Sequence, residues 1–484
     1  MAEVTIKGAG IIGLSIAWEC IQRGAKVQVV DPHGIGAGSS GGIVGALAPH
    51  VPENWNEKKA FQFESLQIAQ TFWEHVDRTS GLNSGYARTG RIQPLLDEAG
   101  LSLAHERGEN AKSLWQGMAE WRVVDQKPEW APPSPTGKWI YDSLSARIQP
   151  RNAVASIAQA IQKSGGEIHR SAADSGKVIW AAGAWDLKRV SEHTGKSFGN
   201  GVKGQAALFD YDQRTQPQIF ADALHFIPHA DGTLAVGSTS ERDYCDPTTT
   251  DAHLDSVIER AFDILPDLQH AKVLARWAGV RPRSKSRAPV LGSHPINASE
   301  YIANGGFKIG FGMAPKIAQV MADLILENTD TIPNDLRVEK SLKAGQGPAK
   351  VLLETGFERR NCTLHETQVR IFTLNDFAKL RELNGFDRVF FCQRVRQSTV
   401  IIWIDDHACW WCCFDLRTQI RHIAWRRSQS HTIGYGLRMV DAKAFLKIPK
   451  GIMRYRIWFC GECLHLGFKA DESLFECRQF RIDI

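Results

Sequence analysis

No stretch of this 484-residue chain is apolar for long enough to cross a bilayer. A transmembrane helix needs about 20 consecutive apolar residues. The apolar run IIGLSIAW near the N-terminus follows Glu3, contains a glycine and is closed by Glu19, so it does not have the pattern of a secretion signal. The sequence therefore predicts a cytoplasmic protein without a membrane span.

Cysteine is scarce in the first two thirds of the chain. Cys20 and Cys245 precede residue 341, and the other eight of the ten cysteines follow it. In a cytoplasmic chain we expect reduced thiols rather than disulfides. Charge is divided in the same way, because residues 341–484 hold 23 Lys and Arg against 15 Asp and Glu, whereas residues 1–340 hold 35 against 38. Composition thus predicts a mildly acidic globular unit at 1–342 and a basic, Cys- and Trp-rich extension at 343–484.

Residues 4–31 have the pattern of a strand, a tight turn, a helix and a second strand. The turn carries three glycines in GxGxxG spacing, Gly8, Gly10 and Gly13. Glycine at these places permits the sharp turn, brings a pyrophosphate close to the backbone and lets the helix pack against the strand. The amides of the helix N-terminus, where Ile12 lies, offer hydrogen bonds to phosphate, and Asp31 at the end of the second strand accepts them from ribose. The stretch predicts a bound dinucleotide.

A second glycine-rich stretch follows at residues 32–50. It holds six glycines, at positions 34, 36, 38, 41, 42 and 45. A flexible linker would have a similar glycine content, but Ile43, Val44 and Leu47 are apolar, which a solvated linker would not need. We therefore predict a loop that presents its backbone to a ligand.

The two stretches, GAGIIGLSIAWEC…VVD and GSSGGIVGALAPH, resemble the D-amino-acid oxidase family of flavoenzymes, which includes glycine oxidase and sarcosine oxidase. The GALAPH portion is also similar to the oxidase domain of the bifunctional enzyme that modifies wobble uridine in tRNA. The resemblance covers about residues 2–340. It implies that the dinucleotide is FAD, and that the second loop runs beside the isoalloxazine ring with four contacts, Ser39, Ser40, Gly45 and Ala46.

The resemblance implies an α/β fold with two interleaved domains, followed by an extension of unknown fold. One domain is a Rossmann-like FAD-binding domain, and the other is an antiparallel-sheet substrate domain. We expect the FAD-binding parts at about residues 1–85, 146–200 and 276–342, and the substrate parts at about 86–145 and 201–275.

Strand patterns are clear in both domains. KVIWAAGAW, residues 177–185, predicts a buried strand, and the resemblance implies a second FAD contact at its small-residue end, Ala182 and Gly183. Residues 202–210 and 224–239 alternate with period two. Within the second range, the Asp231–Gly232 pair between HFIPH and TLAVG predicts a hairpin turn.

Several large side chains in these strands have two interpretations. His225 and His229 lie in the predicted hairpin. We favour a position on the sheet surface for both side chains, with the substrate cavity as the alternative, because a strand gives each side chain an even chance of facing either way. Four tryptophans are interpreted as core or interface residues, with one a candidate for the cavity: Trp115, Trp121, Trp130 and Trp139.

RWAGVRPRSKSRAPVLG, residues 276–292, resembles the W-x-G-x-R-P element of the family. There the resemblance implies that Arg281 binds the substrate carboxylate, because a planar guanidinium grips both oxygens and orients the α-carbon. A structural ion pair is the alternative role for Arg281. The family often has an acidic residue shortly afterwards, where this chain has Ser284, Lys285 and Ser286. Extra positive charge there would suit a more anionic substrate or simply belong to the surface.

Residues 304–325, NGGFKIGFGMAPKIAQVMADLI, predict a closing turn and a helix whose first turn holds Pro315. The resemblance places the N-terminus of this helix at the pyrimidine end of the flavin, where the helix dipole stabilises negative charge. It implies three flavin contacts, Gly310, Gly312 and Met313. No cysteine falls in this segment, so we expect FAD to be bound non-covalently.

The resemblance implies an oxidoreductase that oxidises the C–N bond of an amino acid or secondary amine. Hydride passes to flavin N5, and the imine is then hydrolysed. One alternative is oxidative removal of a carboxymethyl group from a modified wobble uridine in tRNA, and an alternative of another class is a non-catalytic flavin-fold binding protein. The expected partner is a small amine or amino acid, since no RNA-binding motif is visible, and the oligomeric state is not predicted.

The extension at 343–484 matches no family that we recognise. Its two CxxC pairs, Cys409 with Cys412 and Cys460 with Cys463, have the spacing of metal-ligand pairs, but unliganded thiols are favoured and no metal is predicted. Basic charge mixed with aromatics is compatible with nucleic-acid binding. A third interpretation is an out-of-frame or fused segment with little selected structure.

Overall fold

The computed structural model describes residues 1–343 in full and, beyond them, the backbone of four strands. The chain divides into two compact units, Met1–Gln346 and Gly347–Ile484. In the second unit the described strands form an antiparallel sheet in chain order: β17 (Arg388–Val395), β18 (Ser398–Asp405), β19 (Tyr455–Trp458) and β20 (Gln479–Ile482). Both predicted CxxC pairs fall outside the described residues.

The first unit alternates strands and helices along the chain. Its strands are β1 (Val4–Lys7), β2 (Val27–Val30), β3 (Ala46–Leu47), β4 (Arg91–Pro94), β5 (Trp121–Val124), β6 (Trp139–Asp142), β7 (Ala146–Arg147), β8 (Glu167–His169), β9 (Lys177–Trp180), β10 (Gly199–Asp210), β11 (Gln218–Ala221), β12 (Leu224–Pro228), β13 (Thr233–Gly237), β14 (Val273–Ser284), β15 (Val290–Ser293) and β16 (Tyr301–Asn304). Its helices are α1 (Ile11–Gln22), α2 (Glu57–Ser80), α3 (Glu98–Leu114), α4 (Pro150–Lys163), α5 (Gly183–Thr194), α6 (Ala252–Ile264), α7 (Gly310–Glu327) and α8 (Val338–Lys343).

A six-stranded sheet carries the glycine-rich turn. Its order is β15-β16-β9-β1-β2-β8, and every pairing except that of β15 with β16 is parallel. The strands are short and apolar, and β2 is buried at all four positions, as expected for a parallel sheet covered on both faces. α1, α2, α4 and α7 contribute to the same core. This arrangement confirms the predicted α/β fold with a Rossmann-like half.

Arg23, just after α1, ties the beginning of the unit to α7. Its Nη1 atom bonds Asp323 Oδ1 at 2.6 Å and Glu327 Oε1 at 2.8 Å, and its Nε atom bonds Glu19 Oε1 at 3.0 Å. The side chain is about a quarter exposed. The first helix of the chain is thus held by a helix that lies 300 residues later in sequence.

An eight-stranded sheet forms the other half, in the order β14-β10-β13-β12-β11-β4-β6-β5. Its pairings are antiparallel except that of β11 with β4. The predicted hairpin is confirmed, because β12 and β13 flank the Asp231–Gly232 turn and Gly232 has a φ of +87°. The predicted bound at about 276 falls inside β14, which begins at Val273 and pairs along β10 in this sheet, and the division into FAD-binding and substrate parts stays a prediction.

The positions of the predicted tryptophans and of Pro315 can be compared with the packing of the first unit. The four tryptophans are core residues, as favoured from the sequence, and each is no more than 5% exposed. Pro315 is not in the first turn of its helix, because α7 begins at Gly310 and places the proline in the interior. Within the described residues, we find no helix that combines the length and the apolar character needed to cross a membrane.

Candidate cofactor and substrate site

The turn after β1 is closed by contacts that exclude any side chain at two of its glycines. A Cβ on Gly8 would lie 2.5 Å from the carbonyl oxygen of Ala181, and Gly8 has a φ of +119°. A Cβ on Gly13 would lie 2.1 Å from the carbonyl oxygen of Gly8. At Gly10, by contrast, a Cβ would meet only Ser40 Oγ, at 3.2 Å. Gly8 and Gly13 are therefore required by the fold, whereas Gly10 keeps open the space in front of α1.

The N-terminus of α1 presents backbone donors to that space. The amide of Ile11 donates to Ser40 Oγ at 3.0 Å, which anchors the second glycine-rich loop to the helix. Within residues 1–343, no side chain bonds the next two amides, those of Ile12 and Gly13. Free amides at a helix N-terminus are the donors that a phosphate accepts.

Asp31 ties the turn to the loop after β2. Its Oδ2 atom accepts the amide of Ala9 at 2.8 Å, and its Oδ1 atom accepts the amides of His33 at 2.9 Å and Gly34 at 3.2 Å. Each carboxylate oxygen has more than one lone pair. A ribose contact by Asp31 stays a prediction, and its role in holding the loop is an addition from the structure.

The second glycine-rich loop lies between the two sheets. Ser39 and Ser40 form a short 3-10 turn, and Ala46 belongs to β3, which pairs with β7. A Cβ on Gly45 would lie 1.8 Å from the carbonyl oxygen of Ile148, so this glycine packs against the backbone. A Cβ on Gly42 would touch the Trp277 ring of β14 at 3.2 Å. The loop therefore lies against the strand that carries Arg281.

The ends of β9 and α7 complete the cofactor side. Gly183 has a φ of +63° with no atom within 4 Å of a built Cβ, so the end of β9, with the neighbouring Ala182, borders open space. Gly310 and Gly312 would each accept a Cβ at ordinary contact distance, and their flavin contacts stay predictions. The Met313 side chain is 0% exposed and lies in the core, and its flavin contact also stays a prediction.

Arg281 lies near the end of β14 and is 9% exposed. Its Nη1 atom donates to Ser238 Oγ at 2.7 Å, and its Nη2 atom donates to the carbonyl oxygens of Thr239 at 2.6 Å and Lys203 at 3.4 Å. The guanidinium lies against Gly204, where a Cβ would come within 3.0 Å of Nε. Within residues 1–343 no carboxylate lies within 4.0 Å of it, so the structural ion pair is not its role.

The burial of Arg281 makes its charged form less favourable. Desolvation lowers its pKa to about 10, and the negative charge of Glu241 opposes that shift. Glu241 is itself engaged elsewhere, since it accepts a hydrogen bond from Gln205 Nε2 at 3.0 Å and lies 3.8 Å from Lys203 Nζ. Glu241 also clusters with Asp251 and His253, but Lys203 and Gln205 already bond these carboxylates. Arg281 is thus a cation with unused donors and no anion in this part of the protein.

Sequence reasoning missed the residues that surround Arg281. Phe307 lies beneath it, with the ring centre 5.4 Å from the guanidinium carbon, and the Phe307 amide donates to the carbonyl oxygen of Pro282 at 2.9 Å. Lys308 follows, with Nζ 5.9 Å from the same ring centre. A lysine in the loop before α7 has no motif to mark it, and only the pairing of that loop with β14 places it here.

His229 of the hairpin is not on the sheet surface, which corrects the favoured interpretation for this residue, whereas His225 is half-buried. His229 is 2% exposed, and its ring nitrogens lie 3.0 Å from Thr233 Oγ1 and from the carbonyl oxygen of Ile43, so its role is structural. The His225 ring packs on Phe220 at 4.7 Å, and its buried Nδ1 atom has no partner in the described part of the chain. Desolvation, with the charges of Arg91 and Lys308, lowers the pKa of His225 to about 3, so this ring is neutral at physiological pH.

Comparison with known proteins identifies this arrangement. Residues 3–324 match the family described as FAD dependent oxidoreductase. The chain belongs to this family. This FAD-dependent oxidoreductase is 23% identical to the glycine oxidase of Geobacillus kaustophilus over 359 residues, which cover 67% of the chain and 92% of the relative. It is 27% identical to the glycine oxidase of Pseudomonas putida over 350 residues, with 67% and 94% covered.

Solved structures show the same fold. A crystal structure of glycine oxidase from Geobacillus kaustophilus superposes with a TM-score of 0.60 at 20% identity and covers 69% of this oxidoreductase and 96% of that chain. The iminodiacetate oxidase of Chelativorans sp. superposes with a TM-score of 0.59 at 20% identity, with 68% and 97% covered. The family resemblance and the antiparallel-sheet half predicted from the sequence are thereby confirmed.

The residues present fit the FAD that the family uses. Gly10 leaves space in front of the free amides of Ile12 and Gly13, which suits a pyrophosphate. The open space at Gly183 and the loop around Ser40 border the same turn. These residues would hold FAD, and its non-covalent attachment stays a prediction.

Proposed function

We propose that this FAD-dependent oxidoreductase oxidises the C–N bond of a small amine that bears a carboxylate, with Arg281 holding that carboxylate. The observation that carries the proposal is a buried guanidinium without an anionic partner in residues 1–343. A buried cation is retained only where something compensates its desolvation. A substrate carboxylate supplies that compensation.

The relatives support the same chemistry. Proteins named glycine oxidase and iminodiacetate oxidase share the family or the fold. Glycine and iminodiacetate are both amines with a carboxylate one carbon away from the nitrogen. A carboxylate-binding arginine is therefore compatible with the substrates that these names state.

The chain's own residues bind and orient the substrate. Ser238 Oγ and the Thr239 carbonyl oxygen fix the plane of the Arg281 guanidinium, and one Nη1 donor and the buried Nε donor have no acceptor in the described residues. FAD supplies the acceptor for the hydride that leaves the carbon bearing the amine, and the imine is then hydrolysed by water. The Phe307 ring, against which the guanidinium packs, limits water beside the bound carboxylate.

An anaerobic substrate screen on the full chain loaded with FAD tests the proposal. Flavin absorbance is followed after mixing with glycine, sarcosine, N-ethylglycine or iminodiacetate, and with N-methylethylamine as the matched amine without a carboxylate. We expect at least one carboxylate-bearing amine to bleach the flavin and the matched amine to leave it oxidised. A tRNA with carboxymethylaminomethyluridine belongs in the same screen.

Two results would overturn the proposal. One is bleaching by N-methylethylamine at the rate seen with sarcosine, since the carboxylate would then have no role. The other is a yellow protein that no amino acid or amine reduces. Bleaching by any amine excludes a non-catalytic flavin-fold protein.

A further inference from the structure

Three cationic side chains surround the Phe307 ring. The guanidinium carbon of Arg281 lies 5.4 Å from the ring centre, that of Arg283 lies 5.5 Å away, and Lys308 Nζ lies 5.9 Å away. In the described part of the chain, none of the three has a carboxylate within 4.0 Å. Like charges this close repel one another. The cluster therefore has more positive charge than one bound carboxylate neutralises.

The backbone conformation that holds this cluster in place is strained at Phe307. Phe307 has a φ of +44°, a left-handed conformation that is unfavourable for a residue with a side chain. It is kept there by its amide bond to Pro282 and by the bridge between Gly306 and Arg283. Strained residues persist where surrounding structure fixes them, and they concentrate at functional sites. Both anchors lie on β14, so Lys308 is fixed relative to Arg281.

Lys308 is exposed and lies beside the Phe307 ring on which Arg281 also packs. Its positive charge contributes to lowering the pKa of His225. Desolvation, followed by the charges of Arg281 and Arg283, lowers the pKa of Lys308 itself to about 8. The printed geometry agrees with this, because the ammonium group shares the Phe307 ring with the guanidinium groups of Arg281 and Arg283. A lysine that only solubilised the surface would point away from two arginines.

We propose that the ligand of this site carries two acidic groups, one held by Arg281 and the second bound by Lys308 with Arg283 beside it. The inference rests on the proposed function and narrows its substrate class to amines with two carboxylates or with a carboxylate and another small anion. A second anion would relieve the repulsion within the cluster. It would also give Lys308 a charge-assisted hydrogen bond.

Binding of non-reactive ligands to the FAD-loaded full chain tests this directly. Glutarate has a CH2 group where iminodiacetate has its nitrogen, and pentanoate differs from glutarate by one methyl group in place of a carboxylate. We expect calorimetry at pH 7 to show glutarate binding about tenfold or more tighter than pentanoate, in keeping with a hydrogen bond to a charged group. Lys308→Met should reduce the ratio to about twofold or less, and Lys308→Arg should restore most of it.

Lys112→Met is the matched control, because Lys112 is an exposed lysine of α3 paired with Glu109. It should keep the native ratio. The inference is overturned if the native protein binds the two ligands equally or binds neither, or if Lys308→Met keeps the native preference. A loss of affinity for both ligands by the same factor in Lys308→Met would also overturn it, since the lysine would then act only through the fold.

The outcomes separate this inference from the proposed function. If N-ethylglycine bleaches the flavin while glutarate and pentanoate bind equally, the proposed function holds and the second acidic group is wrong. If glutarate is preferred but no amine reduces the flavin, the two-anion site stands and amine oxidation is wrong. In turnover, iminodiacetate should exceed N-ethylglycine in kcat/KM by about tenfold, and Lys308→Met should remove that preference.

Discussion

Each of the two sheets in residues 1–343 forms one half of the site, and the two halves consist of different kinds of chemical group. At the ends of β1 and β9 the site is backbone, where Gly8 and Gly13 in the turn after β1 admit no side chain and the amides of α1 remain free. On and beside β14 it is made of charged side chains, which have no acidic partner in these residues. Sterics therefore define the first half and charge defines the second. The two halves should respond to different substitutions.

Removing one buried arginine at a time gives the largest expected effects. We expect Arg281→Met to weaken substrate binding by about 2–5 kcal/mol without lowering the free energy of unfolding, because no carboxylate is left unpaired. Arg91 is the contrast, since its Nε atom bonds the fully buried Asp142 at 2.8 Å. Arg91→Met should lower the free energy of unfolding by about 3–5 kcal/mol. Denaturant titration and calorimetric binding measure both, and a large stability loss in Arg281→Met would break the comparison.

A methyl group added to the backbone half should act through sterics alone. Gly13→Ala places a Cβ against the Gly8 carbonyl oxygen, so we expect the free energy of unfolding to fall by about 3 kcal/mol and the flavin content to drop with it. Gly38→Ala is the control, because Gly38 has a φ of −87° and no atom within 4 Å of a built Cβ. Flavin absorbance per protein and urea unfolding report the outcome. Full flavin content in Gly13→Ala would refute the assignment.

The charged half should respond to pH in a range where the backbone half does not. Lys308 is charged below its pKa of about 8 and loses its charge as the pH rises through that value. The groups facing it keep their states from pH 7 to 9, since the pKa of Arg281 is about 10 and that of His225 about 3, and Arg283 stays cationic. The preference for glutarate over pentanoate should therefore fall by about tenfold over this range. Lys308→Arg should keep it, and an identical pH profile in both proteins would exclude Lys308 as the titrating group.

The smallest expected effect concerns the contact that joins loop and helix. Ser40→Ala removes the acceptor of the Ile11 amide, so we expect a loss of about 1 kcal/mol in the free energy of unfolding, as for other helix N-terminal acceptors. Ser39→Ala is the matched control, since the Ser39 hydroxyl makes no hydrogen bond within residues 1–343. Thermal unfolding of the two variants compares them. Equal midpoints would show that Ser40 does not anchor the loop.

The backbone half could be predicted from the sequence because its parts are close together along the chain. The GxGxxG spacing, Asp31 and the second glycine-rich loop all fall within 50 residues. What the sequence could not show is that Asp31 and Ser40 bond the backbone of this turn themselves. Hydrogen bonds made by side chains across a turn depend on its three-dimensional path, which spacing does not give.

The side-chain half was predicted only at Arg281, through a resemblance. Phe307 and Lys308 reach it because the loop before α7 bonds to β14, a pairing that no local pattern announces. His229 was assigned to the surface because period-two alternation gives the two faces of a strand but not which face is covered. The burial of the Met313 side chain in the core was not predicted, since its position in the motif does not give its packing.

The Arg23 clamp between α1 and α7 has a consequence for how the protein is made. The turn after β1 leaves the ribosome before the carboxylates that hold its helix, because Asp323 and Glu327 emerge about 300 residues later. The neighbouring strand β9 also arrives long after β1. A nascent chain therefore carries an unfinished nucleotide pocket while about 300 residues are added, and cofactor capture waits for nearly the whole first unit.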